Sequence, residues 1–291
     1  GVAAAISNDD NFQLHIEDTL IAGDHHHHLG NVETLISHGA QVVSALISEG
    51  FPADRTAEGA LAFCLEGAHR RRRIVHAGGD ATGKHLINYL LAHLPNNVTV
   101  HQHELAYELM LNSRGECCGV YVKSPEGLKT YTASYIIIAT GGAGALYDTT
   151  SNWSGNSGDG IAMAYLAGAA VADMEFMQFH PSLLYVNGQG VGLISEAVRG
   201  AGAVFVDAAG IPFMKERHPL GDLAPRHVTA YEIYKERANG NEVLLNIAAI
   251  DDFAARFPTI TALCEKHSVD WKSGLLPVAP GSHFLMGGIV A

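Results

Sequence analysis

The chain has 291 residues, and 30 acidic against 18 basic side chains give it a formal net charge of −12. A surface of that sign repels polyanions, which excludes a general nucleic-acid binder and leaves only the Arg70 to Arg73 run as a concentrated basic stretch. With 47% hydrophobic and 16% charged residues the chain is expected to fold around a substantial core, and its length predicts two units.

The four cysteines, Cys64, Cys117, Cys118 and Cys264, show no CxxC spacing, so neither a zinc site nor a disulfide framework is expected. No apolar run is long enough to span a bilayer and no charged-then-apolar leader opens the sequence. A cytoplasmic protein away from the membrane is the expectation. The opening Gly1 and the closing "HFLMGGIVA" read as two ends cut from something longer.

In chain order, "DHHHH" (24–28) reads as solvated loop histidines rather than a metal site, because a helix follows directly. In "GNVETLISHGAQVVSALISEG", Val32, Leu35, Ile36, Val43, Leu46 and Ile47 recur near a 3.6-residue period, and Gly50 is the stop. Leu86, Ile87, Leu90 and Leu91 predict a second helix ending near "PNN". The period then changes. "NVTVHQ", "LAYELMLN", "CCGVYVKS" and "LKTYTAS" are short β-rich runs parted by the turn formers "SRGE" and "SPEG", and predict an antiparallel meander.

"YIIIAT" (135–140) is a continuous apolar run of the kind a doubly covered parallel strand needs, and "GGAGALY" follows it at once. Glycines there let a backbone turn tightly and bring amide N–H groups close to a ligand. In "SGDGIAMAYLAGA", Ser157 or Asp159 can cap a helix, or Asp159 can lie beside a nucleotide at that helix start. Beyond residue 180 the texture shifts to short mixed elements, including "SEAVRG", "HPLGDLAPR" and "VLLNIAAI".

The ordered set "EGAH…RIVHAGGDATG", "IIIATGGAG", "SGDGIAMAYLAGA", "MEFMQFHPSLL", "SEAVRG", "HPLGDLAPR" and "PVAPGSHFLMGG" closely resembles the L-aspartate oxidases, a branch of the fumarate reductase and succinate dehydrogenase flavoprotein superfamily. The resemblance runs along nearly the whole chain. It implies a mixed α/β (α+β) fold: a partial FAD-binding Rossmann-like domain with an inserted antiparallel β-meander over 1–180, a capping domain over 181–285, and a return toward the FAD domain over 286–291. It also implies that the upstream GxGxxG segment and a downstream arginine motif are missing here, so that these 291 residues alone would hold FAD weakly or not at all.

The implied reaction is oxidation of L-aspartate to iminoaspartate, with oxygen or fumarate reoxidising FAD and the product passing to quinolinate synthase in NAD biosynthesis. Succinate is a further implied ligand. Motif matching carries over Arg226 as the catalytic arginine, His180, His283 and Ser195 as carboxylate binders, and Glu66 as the partner of the substrate's amino group. For FAD it carries over Gly1, Gly141, Gly142 and Asp159, with main-chain contacts from Leu105 and Ala106; no metal is implied. Arg226 could instead be a structural arginine bonded to Asp222. Arg73 matches a recurring arginine that fixes the loop, whereas Arg70 and Arg71 read as surface charge. The alternatives are a fumarate reductase or succinate dehydrogenase flavoprotein, which has no ammonium to recognise, and an inactive fragment of such an enzyme.

Overall fold

The structure is a computed structural model and describes residues 1–290. In chain order its elements are β1 (Val2–Ala3), α1 (Phe12–Ala22), α2 (Leu29–Ser48), β2 (Phe63–Cys64), β3 (Ile74–Val75), α3 (Thr82–Ala92), β4 (Leu105–Leu111), β5 (Cys117–Ser124) and β6 (Gly127–Thr132). There follow α4 (Asp159–Leu166), β7 (Val171–Ala172), β8 (Met177–Val186), β9 (Gln189–Leu193), α5 (Glu196–Gly200), β10 (Val204–Asp207), α6 (Met214–Arg217) and α7 (Arg226–Ala238). The last are β11 (Val243–Asn246), α8 (Phe253–Arg256), α9 (Pro258–Lys266), β12 (Leu275–Leu285) and β13 (Gly288–Ile289). No helix among the described residues is long and apolar enough to cross a membrane.

The chain divides into two compact units, one of residues 1–94 and 181–280 and the other of 95–180 and 281–291. The first holds the main core. Phe205 of β10, Leu245 of β11, Leu276 and Val278 of β12, Ile233 of α7, and Ile260 and Cys264 of α9 are all essentially removed from water. Short strands suffice because alternate residues point to one face, and that face is covered by helices. Antiparallel registers join β10 to β11 and β11 to β12.

In the second unit β4, β5 and β6 form the antiparallel meander, and β7 pairs with β13. The structure departs from expectation at both borders of that meander. "NVTVHQ" forms no strand, and neither does "YIIIAT", where Ile137 is 90% exposed. A doubly covered parallel strand needs neighbours on both edges and both faces; among the described residues 135–140 has no strand partner, although Gly160 of α4 lies against Ile138 and Thr140.

The arginine run divides by burial. Arg73 is wholly buried; its Nε and Nη2 donate to the two carboxylate oxygens of Asp10 at 2.7 and 2.8 Å, and its Nη1 donates to Asp18 at 2.6 Å. Arg70 is more than surface charge, since it reaches both Asp18 and Glu17 from a half-exposed position. Arg71 and Arg72 are exposed. These pairs tie the segment before β3 to α1, a helix whose pattern was not picked out in the sequence. Arg73 Nη1 also lies 3.2 Å from His69 Nδ1; a guanidinium only donates, so that nitrogen accepts and the ring is neutral. Burial first, and then the charge of Arg73, push the neighbouring His15 down to about 4.

Two outcomes follow from this cluster. Arg73→Ala leaves the Asp10 carboxylate without its cation and Asp18 with Arg70 alone, and should cost about 3–5 kcal/mol in urea unfolding, whereas Arg71→Ala should change stability by no more than about 0.5 kcal/mol. His15 binds a proton more weakly folded than unfolded, so the unfolded chain takes up the extra proton as pH falls. Its contribution to stability should be complete above the ordinary histidine value and be lost from about pH 6.5 down to about pH 4. His15→Gln should flatten that part of a stability-against-pH curve; a curve of unchanged slope there would show that other groups set it.

Candidate functional site

In the first unit a short antiparallel sheet brings distant segments together. Val2 and Ala3 of β1 pair with β3, and β3 pairs with β2, so Gly1 and the Glu66 loop converge on His76 just after β3. Glu66 Oε1 lies 3.4 Å from His76 Nε2. His76 is buried, and its Nδ1 lies 3.0 Å from the Gly79 carbonyl oxygen. A carbonyl only accepts, so Nδ1 carries the proton. A Cβ on Gly1 would collide with Ile74 and crowd the His76 ring at 2.8 Å, so only glycine allows this approach. Burial works against ionisation of Glu66, but the neighbouring His76 ring and the charge of Arg226 outweigh it and hold the carboxyl below its ordinary range.

A second constellation surrounds α5. Ser195 is its N-cap, its Oγ accepting from the Ala197 amide at 3.3 Å, and Glu196 follows. Arg226, the first residue of α7, donates from Nε to Glu196 Oε2 at 2.6 Å. The salt-bridge partner of Arg226 is therefore Glu196; Asp222 instead accepts from the Phe205 amide through its side chain and from Arg199 through its carbonyl. Arg199 Nη2 stands 3.1 Å from Glu196 Oε1, too oblique for a hydrogen bond, and its Nε also lacks a partner. Burial pushes the Arg199 guanidinium down, with Glu196 acting in the opposite direction. Glu196 thus sits between two guanidiniums, and Gly67 passes so close to Oε1 that a side chain there would collide with it.

Sequence reading missed Glu196, Arg199 and His76, although all three lie inside the motifs quoted for the resemblance. The signal was an acidic residue three positions before an arginine, which places both on one side of a helical turn.

In the second unit, residues 144–152 are stitched to the end of β12. Ser282 Oγ donates to the Gly144 carbonyl at 2.7 Å, Asn152 Nδ2 donates to the His283 carbonyl at 2.8 Å, and Ser151 Oγ lies 2.5 Å from His283 Nδ1. His180, in β8 and almost fully buried, meets the His283 ring edge to face at 5.0 Å. Of the carboxylate binders expected from sequence, the structure brings these two histidines together.

The expected nucleotide contacts also lie in this unit. Leu105 and Ala106 begin β4, an edge of the meander, and α4 lies against β4. Gly141 has φ +78°, which a side chain rarely adopts, and a Cβ at Gly142 would press on Leu285 at 3.2 Å. Gly158 caps α4 without a side-chain bond to its amides, while Asp159 accepts from Ser157 Oγ at 3.0 Å. Asn156 Oδ1, beside Gly141, is buried with no hydrogen-bond partner. A close backbone, helix-start amides and an open buried acceptor suit a flavin nucleotide, so the residues present fit FAD. Among the described residues no cluster of His, Cys, Asp and Glu could hold a metal ion.

The family model described as "FAD binding domain" matches residues 1–291, and the chain belongs to that family. It is 48% identical to an L-aspartate oxidase of Bacillus subtilis over 99% of the chain and 54% of the relative, and 41% identical to one of Mycobacterium leprae over 100% and 56%. Among solved structures it resembles a quinol fumarate reductase mutant of E. coli with a TM-score of 0.90 at 26% identity, covering 99% of this chain and 53% of that one. A quinol-fumarate reductase with menaquinol molecules gives 0.89 at 27%, covering 100% and 54%. The chain spans about half the length of the curated relatives it matches.

Glu196→Ala should cost about 3–5 kcal/mol in denaturant unfolding, because it strips the buried Arg199 of its counter-charge. A loss below about 1 kcal/mol would show that the Asp222 carbonyl alone satisfies that guanidinium.

Proposed function

We propose that this chain supplies flavin- and substrate-facing residues of an FAD-dependent enzyme that oxidises L-aspartate to iminoaspartate. The observation that carries the reading is the ionised, largely buried Glu66 held against His76. A carboxylate removed from water at a substrate-facing loop calls for a cationic partner, and the ammonium group of an amino acid is one. Fumarate and succinate offer none. The identity with L-aspartate oxidases supports the same reading.

FAD would supply the two-electron acceptor, held by Gly1, Gly141, Gly142, Asp159 and the main chain at Leu105 and Ala106. His180 and His283 would donate to substrate carboxylates, His283 being oriented by Ser151. Ser195 would add a hydroxyl, in competition with its capping bond. Arg226 would present its guanidinium to charge developing on substrate, with its Nε end fixed by Glu196. A guanidinium rarely gives up its proton, so a proton passing at Arg226 would be exchanged with the Glu196 carboxylate. We further propose the domain division given by the resemblance (FAD-binding 1–180, capping 181–285, return 286–291), oxygen or fumarate as final acceptor, delivery of product to quinolinate synthase, and a cytoplasmic setting.

Steady-state kinetics of Glu66→Gln in the complete flavoenzyme, at matched flavin content, test the reading. Losing a charged hydrogen bond to the ammonium should cost about 1.5–3 kcal/mol in kcat/KM for aspartate, and much less for fumarate. An equal fall with both substrates would make Glu66 a support of the loop, and no fall with either would place it outside the site.

A further inference from the structure

His76 is a buried imidazole that the carried-over site does not use. Its Nδ1 proton is committed to the Gly79 carbonyl, so in the neutral ring the lone pair is on Nε2. That nitrogen is buried without a well-aligned hydrogen bond and faces Glu66 Oε1 at 3.4 Å. The two groups differ in access. The Glu66 side chain is 17% exposed and His76 lies behind it at 7%, which is the order a relay from substrate to interior requires.

We propose that Glu66 and His76 form a proton relay that takes one proton from the ammonium group of the amino-acid substrate. The inference rests on the reading of the reaction as aspartate oxidation. An ammonium nitrogen has no lone pair and cannot form a C=N bond as the Cα hydrogen leaves with its electron pair. One N–H bond must therefore break first, its electrons staying on nitrogen. The proton passes to the Glu66 carboxylate, which is too weak a base to keep it, and on to Nε2, while the carboxylate regains its charge and balances the imidazolium. Cα then loses a hydride to the two-electron acceptor and the nitrogen lone pair closes the C=N bond. The sum is one proton to His76 and one hydride to the acceptor. Arg226, already positive and anchored on Glu196, is poorly suited to the first step.

The other titratable and charged groups around this pair are Cys64 on β2, Asp54, which binds the Gly78 and Gly79 amides, His85 on α3 beside Gly78, and Arg226. Asp54 accepts one of those amides on each oxygen, at 2.8 and 2.9 Å, and so fixes the turn carrying Gly79.

His76→Asn keeps a donor for the Gly79 carbonyl and removes the base. Anaerobic stopped-flow reduction of the complete flavoenzyme by L-aspartate should slow at least 100-fold relative to fumarate reduction by the same preparation, within the range of a lost general base. The variant's rate should climb about tenfold per pH unit from pH 7 to 9, because solution then supplies the free amine, while the wild type levels off. Nitrogen-15 histidine spectra of this chain should show the neutral His76 ring protonated on Nδ1. Equal loss of both activities, a variant rate as flat with pH as the wild type, or a ring protonated on Nε2 would overturn the relay. A wild-type enzyme that reduces fumarate but never aspartate would overturn the functional reading, and the relay with it.

Discussion

The buried guanidinium of Arg73 is the constraint on which the first unit's functional loop depends. Three hydrogen bonds to Asp10 and Asp18 bind the segment before β3 to α1 and to the chain preceding it. A charge can be kept out of water only when its counter-charges are fixed in number and direction. The loop from Glu66 to His76 is therefore anchored at its far end by groups that cannot shift singly. His69 is drawn into the same network as a neutral acceptor, which keeps an extra positive charge out of the cluster.

The same alternation of sign recurs around α5. Arg226, Glu196 and Arg199 form a plus–minus–plus row in which the central carboxylate serves both ends. The innermost member, Arg199, is short of hydrogen bonds and leans on the Asp222 carbonyl and the Phe205 ring at 5.9 Å. Such a row makes the outer arginine a fixed charge. Its guanidinium is held at Nε by the Glu196 carboxylate, which sets its direction.

Sequence made the local elements legible where one periodicity dominated. The α2 and α3 patterns and three strands of the meander came through, since each rests on spacing within a single element. Burial was less legible. Leu35 lies on the predicted apolar face of α2 yet is 73% exposed, while Ile36 is buried. The run 135–140 has the composition of an interior strand, but composition cannot supply strand neighbours. At the site, motif context singled out residues one at a time. It could not show that Glu196 rather than Asp222 meets Arg226, because that choice is made by the approach of α5 to the start of α7.

In the proposed reaction the division of labour between Glu66 and the histidines would follow from the charges on the substrate. A dicarboxylate needs only donors, and in the proposed site His180 with His283 would provide them. An amino dicarboxylate adds one positive charge that must be recognised and then relieved of a proton. Recognition requires an anion that stays ionised when shielded from water, which the surroundings of Glu66 ensure. The same surroundings make Glu66 a poor place to keep a proton, since what holds its carboxyl ionised also lowers its basicity. Recognition and proton storage thus pull against each other in one residue. In the proposed relay a buried imidazole behind the carboxylate, with its Nδ1 occupied by a backbone carbonyl, would separate the two tasks between neighbouring side chains.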